Sequence, residues 1–242
     1  MFKLFFTIAR FALIVLVFLE VTYPIHAQTY DLRNDWSDIN NPNGVWSYRQ
    51  GNSVLSSGTY PAGDFDLAQP AWLGSPPALW LKTQSNGSGL DSQIGDVVTH
   101  TVPTNLTNVV WTSPTSGIID INGGVWMIRE IDRSNDWFLR VNGNLLSSGS
   151  IASGDIYDRS NPFNFDNGSG GLLNNLSVNG GDVLELSFQA TGDGVGDYVG
   201  VELSVTYAVP EPTTYLLIIT TGLCATFYLW RKRQREEIAY SS

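Results

Sequence analysis

The sequence predicts an all-β protein, an antiparallel β-sandwich of jelly-roll type, followed by one C-terminal transmembrane helix. Between residues 40 and 207, apolar and polar residues alternate in short runs, the period of half-buried strands. Turn-forming sequences separate these runs, among them Asn122-Gly-Gly, Asn142-Gly143 and Asn179-Gly-Gly. No part of residues 28–208 has a clear helical period. Many short strands with frequent turns favour a sandwich, with an up-and-down barrel or a β-helix as the alternative.

Nine candidate strands follow one another along the chain. The first seven are Val45–Arg49, Ala78–Lys82, Asp96–Val102, Asn108–Thr112, Ile118–Ile121, Val125–Arg129 and Trp137–Val141. The clearest two come last, where every second residue is apolar from Leu184 to Ala190 and again from Val199 to Tyr207. Each gives one apolar and one polar face, which is typical of an antiparallel sheet with one face in water.

The N-terminal end, residues 1–27, has the parts of a secretory signal peptide. Lys3 and Arg10 are the only charges before the apolar run Phe11–Leu19, and small and polar residues follow as far as Ala27. The run is shorter than the about 20 apolar residues that a membrane-spanning helix needs. We therefore predict export of the chain and cleavage after Ala27, with a permanent N-terminal anchor as the alternative.

The C-terminal end combines three features. Pro210, Glu211 and Pro212 form a segment that cannot continue a strand or a helix, because proline lacks the N–H donor. Residues 215–230 carry no charge and would form a helix of about 24 Å, slightly short of the about 30 Å hydrocarbon layer. A basic cluster follows, made of Arg231, Lys232, Arg233 and Arg235. The positive-inside rule places this cluster and the tail 236–242 in the cytoplasm, and therefore residues 28–208 outside.

Because these three features follow one another in this order at the C-terminus, residues 209–235 resemble the PEP-CTERM sorting signal. The resemblance implies that an exosortase in the bacterial inner membrane recognises Pro210-Glu211-Pro212. It further implies removal of the tail, so that the protein reaches the envelope surface or the extracellular matrix. The segment Asp31–Asn43 is similar to the start of other exported domains with this tail, whose activity is not known. Retention of residues 215–230 as an ordinary single-pass anchor is the alternative.

The composition of residues 28–208 excludes some functions. This region carries 19 acidic and seven basic side chains, a formal charge of −12. Nucleic acid is therefore not expected as a partner, because phosphate binding needs clustered lysine and arginine. The chain's one cysteine, Cys224, lies in the C-terminal apolar segment, so that the exported domain has no disulfide and depends on its core.

Catalytic residues are scarce in the exported domain. His100 is its one histidine, and the alternation places it on a strand without a nucleophile-elbow motif nearby. A single histidine and no cysteine also disfavour zinc. Glu185 and Glu202 lie on polar strand faces, where carboxylates usually meet water, and no spacing indicates a glycosidase pair. We therefore predict a protein that is not an enzyme, with a glycoside-active enzyme as the remote alternative.

Two kinds of binding residue are predicted in the domain. Asp193 and Asp197 lie on a glycine-rich loop whose oxygen ligands suit Ca²⁺, and a solvated loop is the alternative. Trp36 lies in a polar segment, and Trp137 directly follows one. Both are candidate platforms for stacking on sugar rings, although tryptophans often fill β-sandwich cores. We expect a structural or adhesive surface protein, with a module that binds extracellular polysaccharide as the alternative.

Overall fold

The computed structural model describes residues 27–75, 78–192, 195–208 and 221–233. Contacts divide the chain into one unit that spans Gln28–Ala208 and another that comprises both ends, Met1–Ala27 and Val209–Ser242. In the latter, residues 221–233 are helical. Across the described ranges, no helix combines the length and apolar composition that crossing a membrane requires. The predicted span 215–230 begins outside these ranges and stays a prediction.

The unit Gln28–Ala208 consists of antiparallel β-sheet with short connections. Its described strands are β1 Thr29–Asp31, β2 Trp46–Gln50, β3 Ser53–Val54, β4 Ser56–Tyr60, β5 Gln69–Leu73, β6 Leu79–Lys82, β7 Val97–His100, β8 Thr107–Thr112, β9 Gly117–Met127, β10 Ser134–Val141, β11 Asn144–Ala152, β12 Phe163–Asn164, β13 Leu176–Val178, β14 Val183–Ala190 and β15 Tyr198–Tyr207. A 3₁₀ turn, Phe165–Asn167, follows β12.

The strands form two sheets. The larger has the order β12-β9-β15-β7-β6-β5-β4, with β1 also paired to β15 and β13 also paired to β9. The smaller has the order β11-β10-β14-β8-β2-β3. One buried core contains residues of both sheets, among them Trp111 and Trp137 from the smaller and Val97 and Val199 from the larger. The predicted antiparallel all-β fold, consistent with a β-sandwich, is therefore confirmed, and the jelly-roll type stays a prediction.

The predicted turn at Asn122-Gly-Gly is wrong. Asn122-Gly-Gly was expected to separate two strands, but residues 117–127 form the single strand β9. The backbone of β15 runs so close that a Cβ on Gly123 would lie 2.0 Å from the Glu202 carbonyl oxygen, and Gly123 has a φ of +135°. Glycine is therefore required here by a close approach of two strands instead of by a turn.

The outer face of the larger sheet is apolar at one end and polar at the other. At the apolar end, Trp126, Tyr198 and Val98 belong to a second buried cluster that also contains Phe65. Further along β15, on the same face, the exposed or half-buried polar side chains begin with Glu202. The opposite face of β15 supplies alternate apolar residues to the core between the sheets. This division of one strand face leaves a polar surface in the middle of the sheet.

Candidate functional site

The polar end of this outer face contains a cleft of about 410 Å³, which we name the polar cleft. It is lined by Asp31, Arg33, Asn34, Asn122, Gly123, Glu202, Leu203 and Ser204. These residues come from the end of β1 and the loop after it, from β9 and from β15. The polar cleft therefore brings together parts of the chain that are up to 173 residues apart in sequence.

The register of β9 and β15 places the cleft side chains. Ser204 lies opposite Asn122, and Glu202 lies opposite Gly124. Because successive side chains of a strand point to opposite faces, Glu202 and Ser204 share the outer face. Gly124 has no side chain, and a Cβ there would lie 2.7 Å from the Phe163 carbonyl oxygen of the next strand. No side chain therefore stands opposite Glu202 on β9.

The loop after β1 forms one wall and is held by local hydrogen bonds. The Asn34 N–H donates to Asp31 Oδ1 at 2.8 Å, and the Asp31 N–H donates to Asp35 Oδ2 at 3.0 Å. Leu32 is buried in the core, and its N–H donates to the Leu203 carbonyl at 3.0 Å. A carboxylate commonly accepts from the backbone N–H two or three residues further on, as Asp31 does from Asn34, so the sequence itself favours this turn.

A buried carboxylate holds two arginines, one of which, Arg33, lines the cleft. The side chain of Asp96 is 1% exposed and accepts hydrogen bonds from Arg33 Nη2 at 2.8 Å and from Arg159 Nε at 2.6 Å. It also accepts Arg159 Nη2 at 3.0 Å and the Gln93 N–H at 2.7 Å. The hydrogen bond to Asp96 raises the pKa of Arg159, against the effect of partial burial. Arg33 Nη2 also lies 3.2 Å from Glu202 Oε1, which connects this ion-pair network to the cleft.

A second polar group, which we name the tyrosine cluster, lies toward the apolar end of the same sheet. It consists of Tyr60, Asp64, Arg129 and Tyr198. The Tyr198 hydroxyl donates to Asp64 Oδ2 at 2.6 Å and contacts the Tyr60 hydroxyl, and Arg129 Nη1 donates to Asp64 Oδ1 at 2.9 Å. Burial raises the pKa of Asp64, but the Tyr198 hydrogen bond and the Arg129 charge outweigh it, so that the pKa is lowered overall. Burial raises the pKa of Tyr198, which keeps its hydroxyl protonated.

The prediction of Trp137 as an exposed platform is wrong. Its side chain is fully buried, and its ring packs edge-on against Phe163 and Phe165 at centroid distances of 5.4 and 5.3 Å. Trp137 was expected to begin a strand directly after polar residues, but the strand β10 begins at Ser134 and Trp137 lies on its inner face. No face of this indole is available to a ligand.

Trp36, the other predicted platform, is half-buried. Its ring packs at 4.5 Å from that of Tyr48, and its indole N–H donates to Asp38 Oδ1 at 2.7 Å. The residue does not line the polar cleft. The structure therefore separates Trp36 from the polar cleft.

The predicted calcium loop is described only in part. Asp193 lies outside the described residues, whereas Asp197 is buried and its carbonyl accepts the Thr101 N–H at 3.0 Å. Among the described residues, no group of three or more histidine, cysteine, aspartate or glutamate side chains is placed to hold a metal ion. Calcium binding at Asp193 and Asp197 stays a prediction.

Several predicted tail residues also fall outside the described ranges. Pro210, Glu211, Pro212 and Arg235 are among them. Arg231, Lys232 and Arg233 are the last three residues of the described helix 221–233. Their predicted role in topology is not addressed by this helix alone.

Sequence reasoning missed the polar cleft and the ion-pair network of Arg33, Asp96 and Arg159. Arg33 and Asp96 are 63 residues apart, and Asp96 and Arg159 are again 63 residues apart, so that no local spacing marks them as a group. The polar face of β15 was visible in the alternation, but it did not reveal which loops cover that face. The one available signal was a carboxylate at the first position of the predicted strand Asp96–Val102, and this signal is weak.

Comparisons with known proteins give little information about this site. No family model matches the chain, and no curated protein matches it. A GH26-CBM35 β-(1,4)-mannanase from Podospora anserina shares 16% identity at a TM-score of 0.26, covering 68% of this chain and 29% of its own. An exo-β-1,3-galactanase from Phanerochaete chrysosporium, solved with galactose, shares 16% identity at a TM-score of 0.28, covering 64% of this chain and 30% of its own. The chain thus spans less than a third of either protein, and likenesses this distant carry no functional argument.

Proposed function

We propose that this chain is an exported protein that reaches the cell-envelope surface or extracellular matrix and has a structural or adhesive role there. In this proposal, the secretion machinery exports residues 28–208, and residues 215–230 hold the precursor in the inner membrane with the basic cluster inside. An exosortase-like enzyme then processes the tail at Pro210-Glu211-Pro212. The proposal assigns the protein no enzymatic activity.

One observation supports this proposal above the others. The compact unit Gln28–Ala208 begins directly after the predicted signal-peptide cleavage site and ends two residues before the Pro-Glu-Pro segment. An exported domain that is released from both ends must be stable by its own core. The shared core of the two sheets, with many fully buried aromatic side chains, meets that requirement without a disulfide.

The test is the intact mass and the fractionation of the protein in its native host. We expect wild type to lack residues 1–27 and the C-terminal tail and to be found at the surface. Replacement of Pro210, Glu211 and Pro212 by alanine should retain the tail and leave the protein in the membrane fraction. A full tail in the membrane fraction of both proteins would make this an ordinary single-pass protein and overturn the sorting proposal.

A matched control separates loss of the motif from a general effect of substitution. Pro61 and Asp66 are an exposed proline and an exposed carboxylate of the domain itself. The double variant Pro61→Ala with Asp66→Ala should be processed and delivered like wild type. Mislocalisation of this control would show that the assay reports folding instead of sorting.

Carbohydrate binding is the second candidate function, and the polar cleft favours it. Its volume of about 410 Å³ lies in the usual range of about 300–1,000 Å³ for small-ligand sites. Its lining offers carboxylate, guanidinium, amide and hydroxyl groups, which supply both donors and acceptors to sugar hydroxyls. The test is retention of the protein, purified from its host, on a panel of insoluble polysaccharides, and retention on none of them would reject this candidate.

A further inference from the structure

We propose that the polar cleft is a binding site for a neutral saccharide, which is recognised through its hydroxyl groups by Glu202, Asn122, Ser204 and Asn34. This inference rests on the second proposed function, carbohydrate binding, and assigns it a place and a ligand class.

The position of the cleft favours a small ligand over a peptide strand. β15 is paired on both sides, with β9 on one side and with β7 and β1 on the other. Because its backbone groups are already used in these ladders, the site cannot bind a partner by adding a strand. A ligand must instead be recognised by the side chains above the sheet.

Those side chains form a complementary set on a rigid base. Glu202 has a side chain that is 46% exposed, and Asn122 and Ser204 lie beside it on neighbouring positions of the same face. A carboxylate accepts up to four hydrogen bonds, whereas an amide both donates and accepts, so that adjacent sugar hydroxyls can be satisfied together. The strands β9 and β15 fix the spacing of these groups, which limits the entropy lost when a ligand binds.

The charge of the cleft selects a neutral ligand over an anionic one. Asp31 and Glu202 supply two negative charges to the lining, against the single positive charge of Arg33. Arg33 already pairs with Asp96 and Glu202, and the nearby Arg159 pairs with Asp96. An anionic sugar such as a uronate would therefore face two carboxylates, and the charge of the one lining cation is already paired with other carboxylates. A neutral saccharide meets neither obstacle.

The absence of aromatic residues from the lining of the cleft indicates the type of binding. None of its eight lining residues is aromatic, so that stacking on a sugar ring does not contribute there. Binding should therefore depend on hydrogen bonds and on the pattern of hydroxyl groups. It should also change little with added salt, because a neutral ligand releases no counterions.

The test is calorimetric titration of the protein, purified from its host, with matched neutral and uronic-acid oligosaccharides. We expect binding of at least one neutral oligosaccharide that is insensitive to added salt. Glu202→Ala and Asn122→Ala should each weaken it about ten-fold or more, since hydrogen bonds to charged and polar groups of a site are lost. Both residues are exposed or half-exposed at the surface, so that neither change should unfold the domain.

Matched controls lie elsewhere on the surface. Glu185 is a half-buried glutamate of β14 in the smaller sheet, and Asn144 is an exposed asparagine of β11. Glu185→Ala and Asn144→Ala should leave the affinity unchanged, and circular dichroism should show all four variants folded.

The outcomes separate this inference from the function on which it rests. If the protein binds a neutral saccharide and the cleft variants bind it as wild type does, carbohydrate binding stands and the cleft assignment is wrong. Binding of uronates alone would overturn the ligand class. If no oligosaccharide or polysaccharide binds, both the inference and the second proposed function fail, while the sorting proposal is unaffected.

Discussion

Asp96 shows how a single residue can organise a surface that is distant in sequence. Its carboxylate is buried, yet its two arginine partners are each about one-quarter to one-third exposed. A buried charge is tolerated when it is paired and fully hydrogen-bonded, and removing it leaves its partners without compensation. The side chains of Arg33 and Arg159, which lie in different loops, are therefore both positioned by this one carboxylate.

We predict that Asp96→Asn lowers the free energy of unfolding by roughly 3 kcal/mol. This value is at the lower end of the usual cost of breaking a buried ion pair, because both arginines reach solvent. Urea denaturation measures the change. Asp166→Asn, at an exposed carboxylate in the 3₁₀ turn, is the control and should change stability by less than about 0.5 kcal/mol. Equal stabilities of the two variants would contradict a central role for Asp96.

The tyrosine cluster makes a pH-dependent contribution to stability. The folded-state pKa of Asp64 is lowered, through the Tyr198 hydrogen bond and the Arg129 charge that outweigh burial. A lowered folded pKa means that the stabilisation is present above the unfolded pKa of about 3.9 and is lost as the pH falls through the folded value. Stability should therefore fall more steeply with acid in wild type than in Asp64→Asn, as measured by urea denaturation from neutral pH downward. Parallel pH profiles would refute this assignment.

At the scale of elements, the pairing of β9 with β15 is the central feature of the larger sheet. The two strands share nine register pairs, from Val199 opposite Met127 to Tyr207 opposite Ile119. Along this pair, glycines allow large side chains or neighbouring backbones to come close. Gly200 lies directly beneath the Trp126 ring, and a Cβ there would lie 2.1 Å from Trp126 Cε2.

We predict that Gly200→Ala destabilises the protein by about 3 kcal/mol, because the buried Trp126 ring cannot move away without disturbing the second core cluster. The change is read from the urea midpoint, with circular dichroism as the signal. Gly192→Ala is the matched control, since nothing lies within 4 Å of its Cβ position and its φ is not positive. A Gly200→Ala protein as stable as this control would show that Trp126 has room to shift.

Across the whole molecule, the two sheets share one core instead of forming two independent layers. Buried residues from both sheets form a single cluster, in which Trp137 of the smaller sheet is completely enclosed. A core of this kind unfolds cooperatively, because removing one sheet exposes the inner face of the other.

We therefore predict that Trp137→Ala lowers the free energy of unfolding by about 3–5 kcal/mol and preserves a single unfolding transition. Trp36→Ala removes a half-buried indole and should lower the free energy of unfolding clearly less than Trp137→Ala does. Differential scanning calorimetry measures both quantities. A second transition in Trp137→Ala would indicate that the sheets unfold separately.

Much of the fold was predictable because it depends on short-range alternation. The inner faces of β14 and β15 are buried as their period-2 pattern indicates. In contrast, β11 was missed, because Ser147-Ser148-Gly149 has neither strand propensity nor a continuous apolar face. Ser147 is nevertheless buried, and its hydroxyl donates to the Phe165 carbonyl at 2.7 Å, a partner supplied by a different part of the chain.

The sequence by itself determined the antiparallel β class, the acidic character of residues 28–208 and the expectations for the two ends, since these follow from composition and local pattern. Only the tertiary structure decided that Trp137 is core, that Asn122-Gly-Gly lies within a strand, and that Asp96 joins Arg33 to Arg159. The physical reason is that burial and ion pairing depend on which distant segments meet. The alternation within one strand indicates that one of its faces is covered, but it does not indicate which distant segments cover that face.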